Sequence, residues 1–297
     1  MRTYLECIPC FFRQALKTTR LAGLSEDKQL QVMVEFGQRL SELSLQSSPP
    51  EIALDLYADI AARAGRDPFE EIREISNKQA LDLYPRLREK VEDSRYPLRT
   101  AVRLAIAGNV IDYGTPGEFD ILKEVEAVLE SESGAFMFEE FQESLRRAES
   151  VLYLCDNAGE IVFDRLLIEE IQVRYQARIT AAVRGGPVLN DVTLEDARQV
   201  GLDRICPVIP NGSKAPGTLL GDCSEEFIQT YNKADLLISK GQGNFETLWG
   251  EEKNIAFLFK VKCDVVARHI EGSLGDTVLF MFRNLENSET SRKTMKY

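Results

Sequence analysis

The chain has 297 residues, 44% of them hydrophobic, with 36 basic against 48 acidic residues and a net charge of −12. This is enough apolar material for one large core or two ordinary ones. The acidic balance argues against a nucleic-acid or anionic-membrane surface, because both need a basic footprint. A single histidine, His269, excludes multi-histidine metal sites.

No apolar run has the length of a membrane span, and residues 1–12 lack the layout of a secretory signal. A cytoplasmic location is therefore expected, with no membrane partner. Six cysteines, at 7, 10, 155, 206, 223 and 263, are too sparse for a disulfide scaffold and are expected to be thiols.

Residues 1–149 read as a helical domain. Ser25-Glu26-Asp27 opens a helix whose apolar positions Met33, Phe36, Leu40 and Leu43 recur at intervals of three and four. Ser48-Pro49-Pro50-Glu51 is a stop-and-start signal before the run from Ile52 to Gly65. A helix is predicted from about Pro68 to Leu81, with further helical material to Val91. Leu98–Ile111 is an alanine-rich, buried helix, and amphipathic stretches follow at Leu122–Leu129 and Phe138–Arg147.

From residue 150 the pattern changes. Short apolar runs at Val151–Cys155, Ile179–Val183, Arg204–Ile209, Leu236–Ser239, Ala256–Lys260 and Thr277–Phe282 alternate with helical stretches. That alternation predicts a mostly parallel sheet covered by helices on both faces, a Rossmann-like three-layer αβα domain over residues 150–286. Residues 287–297 read as a polar tail. The fold class is α/β, with the helical domain in front.

Parallel strands bring their C-terminal ends to one edge, and the residues just beyond each strand are where open α/β sheets place their chemistry. Four successive tips carry glycine together with acids, amides or cations: Asp156-Asn157-Ala158-Gly159-Glu160, Arg184-Gly185-Gly186 through Asn190-Asp191, Pro210-Asn211 through Thr218, and Lys240-Gly241-Gln242-Gly243-Asn244-Phe245-Glu246. Asp156, Asn157 and Asp191 can offer a divalent cation three hard oxygen ligands. Lys240 and Arg184 can neutralise an anion beside it, and Gly159 lets the backbone approach a phosphate closely. Each tip also has a plain structural reading, in which the acids cap helices and Arg184 pairs with a neighbouring helix.

The ordered set Asp-Asn-Ala-Gly-Glu, Arg-Gly-x-Pro-x-x-Asn-Asp and Lys-Gly-x-Gly-Asn-Phe-Glu resembles the damage-control phosphatase family. That family was formerly a domain of unknown function and is also called acidic-residue methyltransferase-like. Glu6-Cys7-Ile8-Pro9-Cys10 and Gly108-Asn109-x-x-Asp112-x-Gly114 resemble its cysteine-containing, microbial-type branch. The resemblance implies hydrolysis of phosphate monoesters on small metabolites, such as sugar phosphates or damaged phosphometabolites. It also implies a divalent metal, Mg, Mn, Co or Ni. The family's metal ligands fall on Asp156, Asn157 and Asp191 and its phosphate-contacting lysine on Lys240. Asn109 and Asp112 end a buried helix, either as C-cap residues or as substrate-facing residues reaching over from the helical domain. The attacking group is either water or the Asp156 carboxylate. Two other readings stand beside this one: carboxyl methyl transfer from S-adenosylmethionine, and a phosphometabolite-binding protein without turnover.

The Cys7-x-x-Cys10 pair is half of a zinc site whose natural companions would be Cys263 and His269, or else simple packing near the start of the chain. Glu160 reads as a helix-start acid. Glu246 reads as a general base, a support for a ligand, or a helix-turn acid.

Overall fold

The computed structural model describes residues 1–108, 121–130 and 134–282. The first three helices, α1 (Cys7–Leu21), α2 (Glu26–Arg39) and α3 (Pro49–Ala64), enclose a small core of their own, with Phe11, Phe36, Leu56 and Ile60 at its centre. The stop-and-start signal acts as expected. Ser48 and Glu51 form a capping box, the two prolines open α3, and Gly65 closes it in the left-handed conformation.

Helix α4 (Glu70–Glu92) is one continuous element, although Pro85 falls inside it. A proline costs a helical hydrogen bond, but Ala80, Leu87 and Val91 are buried on both sides of it and hold the helix line. Helix α5 (Pro97–Ala107) is nearly all buried, from Leu98 to Ala107. The last predicted positions of this helix, and with them Asn109 and Asp112, lie outside the described residues, as does the polar tail. Helices α6 (Ile121–Glu130) and α7 (Phe138–Arg147) precede the sheet.

The sheet has strands β1 (Ser150–Leu154), β2 (Arg178–Val183), β3 (Val208–Pro210), β4 (Leu236–Lys240), β5 (Ile255–Lys260) and β6 (Thr277–Phe282). Their order is β3-β2-β1-β4-β5-β6; the first five run parallel and β6 runs antiparallel to β5. This is the strand order of a doubly wound α/β sheet, with its switch point between β1 and β4. The third strand is shorter and later than the Arg204–Ile209 run predicts. Gly201 ends helix α9 (Leu194–Gln199), a 3-10 turn takes Leu202–Arg204, and only then does an edge strand begin. An edge position is where the proline at 210 is tolerated.

One face of the sheet is covered by α4, α5 and α8 (Glu160–Arg174), so that Leu104 and Ile106 share a cluster with Tyr153, Phe163 and Ile168. The other face takes α10 (Glu225–Lys233), α11 (Gln242–Leu248) and α12 (Asp264–His269), packed through Phe227, Phe245, Leu248 and Val266. The α1–α3 bundle leans on α11 through α3. No described helix is long and apolar enough to cross a membrane.

Candidate active site

The switch point opens a cleft of about 660 Å³ between the strand tips and the α1–α3 bundle. Asp156, Asn157 and Asp191 lie at its floor, α1 contributes Cys7, Cys10, Arg13 and Lys17 to one wall, and Gln242 and Glu246 of α11 form another. A smaller depression beside Arg66–Ile75, about 380 Å³, contains none of the strand-tip residues.

Asp191 reaches Asp156 through backbone geometry. After β2 the chain doubles back, and residues 190–192 run antiparallel to the β1 tip. The Val192 N–H donates to the Asp156 carbonyl at 2.9 Å and the Ala158 N–H to the Asn190 carbonyl at 2.9 Å, forming a bridge between Asn157 and Asp191. Both flanks of this turn are held from α4. Arg73 Nη1 donates to the Leu189 carbonyl at 3.2 Å, and Asn77 Oδ1 accepts the Gly159 N–H at 2.8 Å. Leu189 adopts a left-handed φ of 47° in the same turn, a conformation kept only where the surroundings over-determine it.

The two acids are buried and joined by Arg184, itself 3% exposed. Arg184 Nε donates to Asp191 Oδ2 at 2.6 Å, Nη2 to Asp156 Oδ1 at 3.3 Å and Nη1 to Asn244 Oδ1 at 3.1 Å. Asn157 Nδ2 donates to Asp156 Oδ2 at 2.6 Å and to Glu160 Oε2 at 3.2 Å. Burial, then the like charges of Asp191 and Glu160, push the Asp156 carboxyl up to about 8, against the pull of Arg184 and Lys262. Burial also raises Asp191, with Arg184 opposing.

Lys240 stands elsewhere than the sequence placed it. Its ammonium is fully buried behind the floor, donating to the Ala105 carbonyl at 2.8 Å, to Asp164 Oδ1 at 2.6 Å and to Glu160 Oε1. All three of its N–H donors are thereby engaged, so the cleft receives no cation from it. Gly159 is corrected likewise: its N–H is taken by Asn77, and its φ of 77° serves the strand-to-helix turn. Glu160 does start α8, but as a fully buried partner of Lys240.

Several residues at the site had no assigned role in the sequence reading. Asn244 anchors Arg184 and also holds the Lys240 carbonyl, its Nδ2 donating at 2.8 Å; its place in the Lys-Gly-x-Gly-Asn motif was the available signal. Asn77 carried a weaker one, an amide in the middle of a helix. Cys7, Cys10 and Cys263 line the cleft together as free thiols, whereas His269 packs between Tyr4 and Trp249 outside it. Cys155 is buried beneath the site, and burial drives its thiol well up.

Similarity over nearly the whole chain decides the family. The chain belongs to the damage-control phosphatase ARMT1-like family. The family's domain matches residues 3–278. An uncharacterised protein of Methanocaldococcus jannaschii is 36% identical, covering 92% of this chain and 93% of the relative. A damage-control phosphatase of Pyrococcus horikoshii is 34% identical over 94% of this chain and 97% of its own length, and one of Archaeoglobus fulgidus is 38% identical over 92% and 96%. The crystal structure of a P. horikoshii protein of the former domain-of-unknown-function 89 family superposes with a TM-score of 0.87 at 33% identity, covering 95% of this chain and 99% of that one. Both the family and the α/β architecture read from the sequence are thus found, and the enzyme class is that of a phosphatase, a hydrolase.

Proposed function

We propose that the protein hydrolyses phosphate monoesters of small metabolites in a reaction that depends on a divalent cation held at Asp156, Asn157 and Asp191. The observation that carries this reading is the buried charge at the switch point. Four acids, Asp156, Glu160, Asp164 and Asp191, are buried with two cations, Arg184 and Lys240. A divalent cation would take the place of the protons that this excess of acids otherwise holds, and its hard-oxygen preference matches two carboxylates and an amide. The third oxygen of the set is the Asn157 amide oxygen, which takes no part in the bonds that Nδ2 makes to Asp156 and Glu160. Bound there, the cation supplies charge neutralisation for a phosphate group.

The chain's own residues do the rest. Arg184, fixed by Asp156, Asp191 and Asn244, keeps the two carboxylates in register. Lys262, at the cleft mouth, is close enough to draw down both Asp156 and Asp191 and takes the phosphate-facing part expected of Lys240. A cleft of about 660 Å³ has the size of a small-metabolite pocket. The test is a screen of sugar phosphates and related metabolites with Mg, Mn, Co or Ni supplied. Asp156→Asn and Asp191→Asn should each lower phosphate release by about 10²–10³-fold. Full activity in both folded variants would remove this site from the reaction.

A further inference from the structure

A phosphate monoester leaves behind an alkoxide, and at neutral pH a sugar alkoxide departs slowly unless an acid delivers a proton to it. The strand-tip acids are poorly suited to that task because Arg184 ties both of them. Of the other acids on the cleft, Glu6 is exposed and paired with Arg268, and Asp264 is an exposed helix-start residue.

Glu246 is placed differently. It sits on α11, one turn beyond Gly241, on the wall above the floor that holds Asp156 and Asp191. Among the described residues no lysine or arginine pairs with it. Its Oε1 accepts from Gln242 Nε2 at 2.8 Å, and Gln242 is fixed in turn, its Oε1 accepting the Lys262 N–H at 2.9 Å and its Nε2 reaching Cys263 Sγ at 3.5 Å. The titratable groups facing it are the charged Met1 amine and three neutral ones, the thiols of Cys7 from α1 and Cys263 from the start of α12 and the Tyr57 hydroxyl from α3. All three ordinarily hold their protons at neutral pH. The Met1 nitrogen donates to the Glu246 backbone carbonyl.

We infer that Glu246 is the catalytic acid that protonates the leaving-group oxygen, an inference resting on the phosphatase reading above. As the P–O bond breaks, its electron pair goes to the departing oxygen, which takes the Glu246 proton and leaves as an alcohol. Phosphorus gains its new bond from the incoming oxygen of water, directly or after Asp156. The proton that this water gives up restores the Glu246 carboxyl, so the balance is ester plus water to alcohol plus phosphate. In support, burial pushes the Glu246 carboxyl up to about 7, against the pull of Gln242 and the Met1 amine, so it carries a proton where the reaction needs one.

The test exploits leaving-group dependence. Wild type and Glu246→Gln are compared on a hexose phosphate and on p-nitrophenyl phosphate, whose phenolate departs without help. The variant should lose about 10²-fold or more in kcat on the hexose phosphate and stay within a few fold on p-nitrophenyl phosphate. The basic limb of the hexose phosphate pH profile should vanish with it. Glu246→Asp, which keeps an acid, should recover part of the rate and of that limb. Equal losses on both substrates, or none on either, would overturn the assignment while leaving the phosphatase reading in place. Wild type inactive on both, with every cation supplied, would instead take down that reading and this inference together.

Discussion

At Gly241 one hydrogen atom decides where Asp156 can stand. A Cβ on this residue would lie 1.9 Å from Asp156 Oδ2 and 2.2 Å from its Cγ, and the backbone φ of 77° is one that only glycine adopts at low cost. Gly241→Ala is therefore expected to displace the carboxylate, lowering kcat/KM by about 10²-fold. It should also destabilise the fold by roughly 1–3 kcal/mol, as read by chemical denaturation. Unchanged kcat/KM would show that Asp156 need not occupy its present position. The sequence reading had the right residue types in this neighbourhood but the wrong partners for some of them. Asp156, Asn157 and Asp191 were legible because strand-end position predicts convergence. Lys240 and Glu160 were not, because the sequence shows that they begin and end elements but not that α5 and α8 close over them. A lysine at a strand end looks solvated until the Ala105 carbonyl and two carboxylates are seen around it.

Among the elements, α4 has the least obvious role. It sits far from the strand tips in sequence, yet Asn77 receives the Gly159 N–H and donates to Asp196 at 2.9 Å and to Gln199 at 2.8 Å. One side chain thus fixes the β1–α8 turn to the start and end of α9. Asn77→Ala leaves a buried N–H and a buried carboxylate oxygen without their partner, a cost of about 2–4 kcal/mol. Activity should fall with it, since the turn that carries Asp156 and Asn157 loses its anchor. A variant with the expected loss of stability but wild-type kcat would show that the turn holds its shape without α4. Helix and strand periodicity was read well wherever packing agrees with local pattern, as in α3, α7, β5 and β6. It failed at β3, where Ile205 and Cys206 look like strand residues but pack on the core just after a 3-10 turn. The stretch predicted as a helix to Leu81 with further helical material to Val91 is one helix, α4, in which tertiary burial overrides the local breaker Pro85.

At the scale of the whole molecule, the buried charge that suits the site to a cation also shapes stability. Lys240 carries one positive charge between two carboxylates, all fully buried. Tyr153 donates its hydroxyl to Asp164 Oδ1 at 2.7 Å, and Asp164 Oδ2 is buried without a hydrogen-bond partner among the described residues. One ammonium neutralises one carboxylate, so the second is driven toward its protonated form, and burial pushes Asp164 up to about 7 despite Lys240. The unfolded chain releases that proton near its ordinary value of 3.8. Between those two values the folded state binds more protons than the unfolded one, so the contribution of Asp164 to stability is greatest below about 4 and is lost as pH rises through 7. In Asp164→Asn the buried position no longer ionises, and Lys240 keeps Glu160. The difference in unfolding free energy between wild type and variant should therefore tilt against wild type, approaching about 1.4 kcal/mol per pH unit between pH 4 and 7. It should flatten above that range. Denaturant melts of both proteins at matched pH isolate this group, because every other titrating residue cancels in the difference. A difference that stays constant from pH 4 to 8 would mean that Asp164 is ionised throughout, with Lys240 balancing it rather than Glu160.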